Sequence, residues 1–132
     1  MPYVDANIFL YLIDTNSRKD FREASRSILK RIEEGESASM SAITLMELLW
    51  WCEKHAKKRI KDVYDMILSY KNINILSVTA SIVNDAMFFK EKYNLELNDC
   101  IALAVMASSG DTEMYSNDEG FDRIEWIKRN FG

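Results

Sequence analysis

Four acidic residues stand in apolar or small-residue surroundings, and they are the residues of this chain best suited to chemistry. Asp5 ends the apolar start in Tyr3-Val4-Asp5-Ala6-Asn7-Ile8-Phe9, and Glu47 is the single charge in Ile43-Thr44-Leu45-Met46-Glu47-Leu48-Leu49-Trp50-Trp51. Asp99 lies in Leu97-Asn98-Asp99-Cys100-Ile101-Ala102, and Asp118 follows Tyr115-Ser116. A buried carboxylate without a partner costs several kcal/mol, so it protonates or finds a cation. Each acid alone has an ordinary alternative. Thr44-Leu45-Met46-Glu47 fits a capping box, Asn98 or Asp99 a helix N-cap, Asp118 a first-turn acid, and Asp5 a strand-end turn. Gathered together, the four would repel one another unless a cation lay among them. Mg²⁺ or Mn²⁺, hard ions that take oxygen ligands, suit such a set.

Other chemistries lack their residues. His55 is the only histidine and sits in Lys54-His55-Ala56-Lys57-Lys58, a solvated helix end without triad partners. Cys52 and Cys100 have neither disulfide-framework nor zinc-ligand spacing and read as small core residues. No G-x-G-x-x-G or G-x-x-x-x-G-K-S/T occurs, so dinucleotide and P-loop phosphate cradles are missing.

The elements that must position the acids alternate along the chain. Tyr3–Val4 begins a first strand. Phe21, Ala24, Ile28, Leu29 and Ile32 recur at helical spacing up to Gly35, and Ala38–Ala42 reads as a buried strand. Residues 43–51 continue as a helix, Ile60–Leu68 as another, and Ile73–Val78 alternates as a strand. Helices are expected over 82–93 and 97–109, a strand over Thr112–Ser116, and a weaker last strand at Ile124–Ile127. Strands separated by helices of this length pair in parallel through crossovers, which predicts a three-layer α/β/α domain with four or five parallel strands across residues 1–132. Ligands in such sheets bind beyond the carboxyl ends of the strands, and all four acids map to that edge.

Composition sets outer limits. The 132 residues carry 17 Lys+Arg against 21 Asp+Glu, a net charge of −4, which excludes a polyanion binder working through bulk charge. The excess is concentrated: residues 93–132 hold 3 basic and 8 acidic side chains. No apolar run reaches the roughly 18–20 residues of a membrane span, and no signal-peptide charge pattern follows Met1, so a cytoplasmic protein without membrane partners is expected.

Val4-Asp5-Ala6-Asn7, the isolated acid of Thr44-Leu45-Met46-Glu47-Leu48, Asn98-Asp99-Cys100-Ile101-Ala102, and Ser116-Asn117-Asp118-Glu119-Gly120-Phe121-Asp122 together resemble the PIN domain family. The likeness is strongest to its VapC-type toxin ribonucleases and covers essentially the whole chain. It implies a sheet of order 3-2-1-4-5 and Mg²⁺- or Mn²⁺-dependent cleavage of RNA, with one or two ions per site. It also implies a homodimer and an inhibitory antitoxin protein. Asp5, Glu47 and Asp99 match the family's three metal-ligating acids and Asp118 the more variable fourth. Asn7 and Ser116 match positions that help hold the site, although they also read as an N-cap and a turn residue. Asp122, four residues after Asp118, either faces the same way and assists or is an ordinary surface acid.

RNA would still have to be held. Lys54, Lys57, Lys58 and Arg59 form the densest basic stretch, a candidate phosphate contact or simply a solvated helix end. Trp50 and Trp51 point about 100° apart on a helix, so one is expected in the core and the other in an interface. The broad apolar character of 43–51 and 82–93 adds to the expectation of a dimer. Rival readings are a catalytically idle PIN scaffold that binds RNA or protein, a housekeeping RNA-processing nuclease without an antitoxin, and a flap-type nuclease, for whose helical insertions 132 residues leave little room.

Overall fold

Tyr3 and Val4 are wholly buried, and the two-residue strand they form, β1 (Tyr3–Val4), lies at the centre of the sheet. The computed structural model describes residues 1–132. Around β1 run β2 (Ala38–Ser41), β3 (Ile73–Leu76), β4 (Glu113–Tyr115) and β5 (Lys128–Asn130), in the order β3-β2-β1-β4-β5. Every pairing is parallel, with Tyr3 opposite both Ser39 and Met114.

Alternation along the strands divides the core in two, because successive side chains point to opposite faces. Val4, Ala38, Met40 and Tyr115 pack with α1 (Ala6–Ile13), α2 (Lys19–Glu33), α3 (Ala42–His55) and α4 (Ile60–Leu68). Tyr3 and Met114 pack on the other face with α5 (Ala80–Tyr93) and α6 (Leu97–Ser109). The three-layer α/β/α architecture and the 3-2-1-4-5 order expected from the sequence are therefore present.

Two elements differ from expectation. The apolar run after Tyr3-Val4 turns at once into α1, because the Asp5 side chain accepts a hydrogen bond from Ala6 N at 2.8 Å and caps the helix. The last strand is Lys128–Asn130 rather than 124–127. It pairs only with β4, and an edge strand tolerates the polar Lys-Arg-Asn sequence. Residues 119–123 instead form a short 3₁₀ helix that buries Phe121.

The opposite edge of the sheet shows how this fold treats a buried acid. Asp111 accepts hydrogen bonds from Ser39 Oγ at 3.2 Å and Ser109 Oγ at 2.9 Å, and faces the Met1 ammonium at 3.6 Å.

Candidate active site

At the carboxyl edge the sheet delivers Asp5 directly, since it follows β1 and its backbone N–H donates to Tyr115 O at 3.0 Å. Its two carboxylate oxygens have separate duties. Oδ1 caps α1, while Oδ2 accepts from Ser116 Oγ at 2.7 Å and from Asn7 Nδ2 at 3.4 Å. Burial pushes the Asp5 carboxyl upward against the Ser116 and Ala6 hydrogen bonds, and the charge of Asp118 adds to the rise.

Ser116 is more than a turn residue. Its buried hydroxyl donates to Asp5 and accepts the Asp118 backbone N–H at 3.0 Å. Asn7 is not an N-cap: it lies in the first turn of α1, donates weakly to Ser116 Oγ, and receives the Asn117 backbone N–H, both at 3.4 Å. Asp118 caps the 3₁₀ helix, with Oδ1 accepting from Gly120 N at 2.9 Å.

Glu47 arrives on α3, and the capping-box alternative fails there. The N-cap is Ser41, whose Oγ accepts from Thr44 N at 3.1 Å, so Thr44 is already inside the helix. Thr44 Oγ1 lies 2.8 Å from the Tyr3 hydroxyl, which ties the start of α3 to the central strand. Half-buried Glu47 is thus left free of capping duty. Burial first, then the charges of Asp5 and Asp99, push its carboxyl up to about 7, against an opposing hydrogen bond from Asn98.

Asp99 is the third residue of α6, and the N-cap position belongs to Glu96, so neither Asn98 nor Asp99 caps the helix. Burial, followed by the charges of Asp5, Asp118 and Glu96, pushes Asp99 to about 7. Glu96 also raises Glu47. It is a fifth acid of the cluster that sequence reasoning missed; its only signal is a position three residues before Asp99.

At this edge Asp5 and Asp99 lie within electrostatic reach of each other, Glu47 within reach of both, and Asp118 within reach of Asp5 and Asp99, and none of the four has a cationic side chain within 4.0 Å. No three of the acids are drawn together tightly enough to enclose an ion as they stand, the arrangement expected of like charges. The donor set is all carboxylate oxygen, which fits Mg²⁺ or Mn²⁺ by hardness.

Asp122 stands apart. Arg129 donates to it through Nε at 2.8 Å and Nη2 at 2.9 Å, holding its carboxyl below the usual range, and Arg129 Nη1 donates to Ser116 O at 3.1 Å. Of the basic stretch, Arg59 is engaged elsewhere, its Nη1 donating to Ile13 O at 2.8 Å. Lys58 is exposed, and Lys54 and Lys57 line an open cavity with Trp50, Glu53 and Ile60. Trp51 packs against the core with its ring tilted 34° to that of His55, which ends α3 in solvent, whereas Trp50 is 54% exposed.

The PIN domain family model matches residues 3–127. The chain belongs to the PIN domain family. A curated relative, "Ribonuclease VapC13" of Mycobacterium tuberculosis, is 28% identical over 134 residues and covers 98% of each chain. Among solved structures, Mycobacterium tuberculosis VapC20, described as a Sarcin-Ricin loop cleaving toxin, superposes with a TM-score of 0.79 at 15% identity over 100% of both chains. A toxin–antitoxin complex from Klebsiella pneumoniae gives a TM-score of 0.70 at 21% identity, covering 97% of this chain and 96% of that one. The parallel sheet of order β3-β2-β1-β4-β5 is therefore that of a PIN-like α/β/α fold, and no helix in it is long and apolar enough to cross a membrane.

Proposed function

We propose that this PIN domain is a Mg²⁺- or Mn²⁺-dependent endoribonuclease and the toxin of a toxin–antitoxin pair. One observation carries the reading: Asp5, Glu47, Asp99 and Asp118, drawn from four distant parts of the chain, meet at one sheet edge, and none of them is ion-paired to a side chain of the protein within 4.0 Å. The VapC ribonuclease relative and the toxin–antitoxin neighbour support the toxin assignment.

Asp5 and Asp99 would be the principal residues to hold such an ion, with Glu47 and Asp118 completing the carboxylate set. A bound divalent ion supplies Lewis acidity, lowering the pKa of water and stabilising charge at the scissile phosphate. Ser116 and Asn7 hold the Asp5 carboxylate in one orientation, and the Gly120 N–H does the same for Asp118. Water attacks in line, leaving a 5′-phosphate and a 3′-hydroxyl. Glu47 and Asp99, both pushed towards neutrality by burial and repulsion, ionise fully once positive charge is placed among them.

Partners follow the same reading. A short antitoxin protein binds and restrains the enzyme, and a second copy packs on α5, where Val83, Met87 and Phe88 are 44%, 51% and 63% exposed. The test is cleavage of RNA in Mg²⁺, Mn²⁺ or EDTA by the purified protein and by Asp99→Asn. Cutting that EDTA leaves intact, or an undiminished Asp99→Asn protein, overturns the proposal.

A further inference from the structure

Trp50 is the largest side chain that this fold leaves open without an evident partner. It is 54% exposed and lines a cavity of about 700 Å³ with Glu53, Lys54, Lys57 and Ile60. Lys19, Lys30, Lys61 and Lys92 each face a carboxylate within 4.0 Å. Lys54 and Lys57 do not, although Glu53 lines the same cavity.

Three residues of the cavity, Trp50, Glu53 and Lys54, lie on the same helix as Glu47. Glu47 and Lys54 are seven residues apart on α3, which places them within about 20° of each other around the axis and about 10 Å apart along it. Trp50 lies between them. Away from Glu47, α3 therefore presents an exposed indole and then the Lys54 ammonium, and Lys57 follows just past the helix end, in the short 3₁₀ turn Lys57–Arg59.

We propose that Trp50, Lys54 and Lys57 form a subsite for single-stranded RNA, in which a base flanking the cleaved bond stacks on the indole and the two lysines bind neighbouring phosphates. This rests on the nuclease reading above. An aromatic face stacks any base, and lysines beside it follow the backbone, the pairing used by proteins that hold single strands. The surroundings favour RNA over a second protein chain, because protein interfaces concentrate aromatic residues but are depleted in lysine. Glu53 offers an acceptor to the amino group of a stacked base.

The experiment measures binding and cutting separately. Anisotropy of a fluorescent, randomised, short single-stranded RNA in EDTA gives affinity without turnover, and bulk RNA with Mg²⁺ gives kcat and KM. Trp50→Ala is expected to weaken binding and raise KM roughly 5- to 150-fold, the worth of one stacked base, with kcat nearly unchanged. Trp50→Phe is expected to restore most of the loss, and Lys54→Ala/Lys57→Ala to flatten the salt dependence of binding. A wild-type protein that cuts RNA while Trp50→Ala binds and cuts equally well overturns the subsite and leaves the nuclease standing. A wild-type protein that neither binds nor cuts RNA overturns both. Sedimentation of the same variants closes the remaining route: if Trp50→Ala dissociates an oligomer, the indole belongs to a protein interface and the subsite is wrong.

Discussion

Ser116 donates its hydroxyl to Asp5 Oδ2 at 2.7 Å, joining the end of β4 to the end of β1 across 111 residues of chain. This is the shortest polar contact made by any of the four acids. Its removal leaves Asp5 half-buried with only the Ala6 cap and a long contact from Asn7. Ser116→Ala is expected to lower Mg²⁺ affinity or activity by roughly 10- to 100-fold, as loss of a partner behind a ligand does, and Ser116→Thr to recover part of it. RNA cleavage followed against Mg²⁺ concentration checks this.

The repulsion among the acids has a pH signature in metal-free protein. Glu47 and Asp99 titrate at about 7 in the fold, well above the ordinary 4.5 and 3.8 of these side chains. Between those values the folded chain keeps protons that the unfolded chain has released, so the stabilisation is present below pH 4 and is lost as pH rises through 7. After allowance for solvent screening, the melting temperature of EDTA-treated protein should fall by a few degrees from pH 5 to pH 8, about 1 kcal/mol. Mg²⁺ should reverse the loss at pH 8, and Glu47→Gln/Asp99→Asn should flatten the slope, leaving the part that Asp5 contributes. Thermal melts across pH with and without Mg²⁺ decide it.

Gly120 guards the aim of Asp118. A Cβ there would lie 3.0 Å from Asp118 Oδ1, closer than a carboxylate tolerates without moving. Gly120→Ala is expected to change stability by less than about 0.5 kcal/mol, since the short 3₁₀ helix carries it at the surface beside exposed Asp118 and Glu119, while cleavage drops several-fold. Paired measurements of melting temperature and kcat separate the two effects.

Asp118 and Asp122 differ in what occupies them. Asp122 is held by Nε and Nη2 of Arg129, and the Asp118 carboxylate accepts a hydrogen bond only from the Gly120 N–H. Asp118→Asn is expected to cost more than roughly tenfold in activity, whereas Asp122→Asn costs less than that and acts through loosening the Arg129 contact. Activity assayed beside thermal melts for the two variants tells them apart.

Most of the architecture is legible in the sequence because its pieces are strongly periodic. Phe21 to Ile32 and Ile60 to Leu68 each bury one stripe, and both are helices where expected. The missed helix, α1, is Ala-Asn-Ile-Phe-Leu-Tyr-Leu-Ile, apolar on nearly every side, so it has no period to read. The displaced strand β5 is polar and pairs on one side only, so neither alternation nor apolarity marks it.

The acids themselves are legible as interruptions of apolar runs; their supports are not. Thr44-x-x-Glu47 has the spacing of a capping box, but Ser41 takes the cap, which only the chain's entry into α3 determines. Glu96 joins the cluster through the packing of α6 against the sheet, and no motif distinguishes it from the other exposed acids. Arg129, which braces both Asp122 and the Ser116 carbonyl, reaches the site only because β5 lies beside β4.

The long reach between Asp5 and Ser116 has a consequence during synthesis. The centre is assembled from residues 5, 47, 99 and 118, and its brace from residue 129, so contacts of high sequence separation must form last. A nascent chain on the ribosome exposes Asp5 early yet has nothing to hold it until β4 has emerged and paired. Translation thereby imposes a delay: a chain truncated before Ser116 carries three of the four acids and no assembled centre.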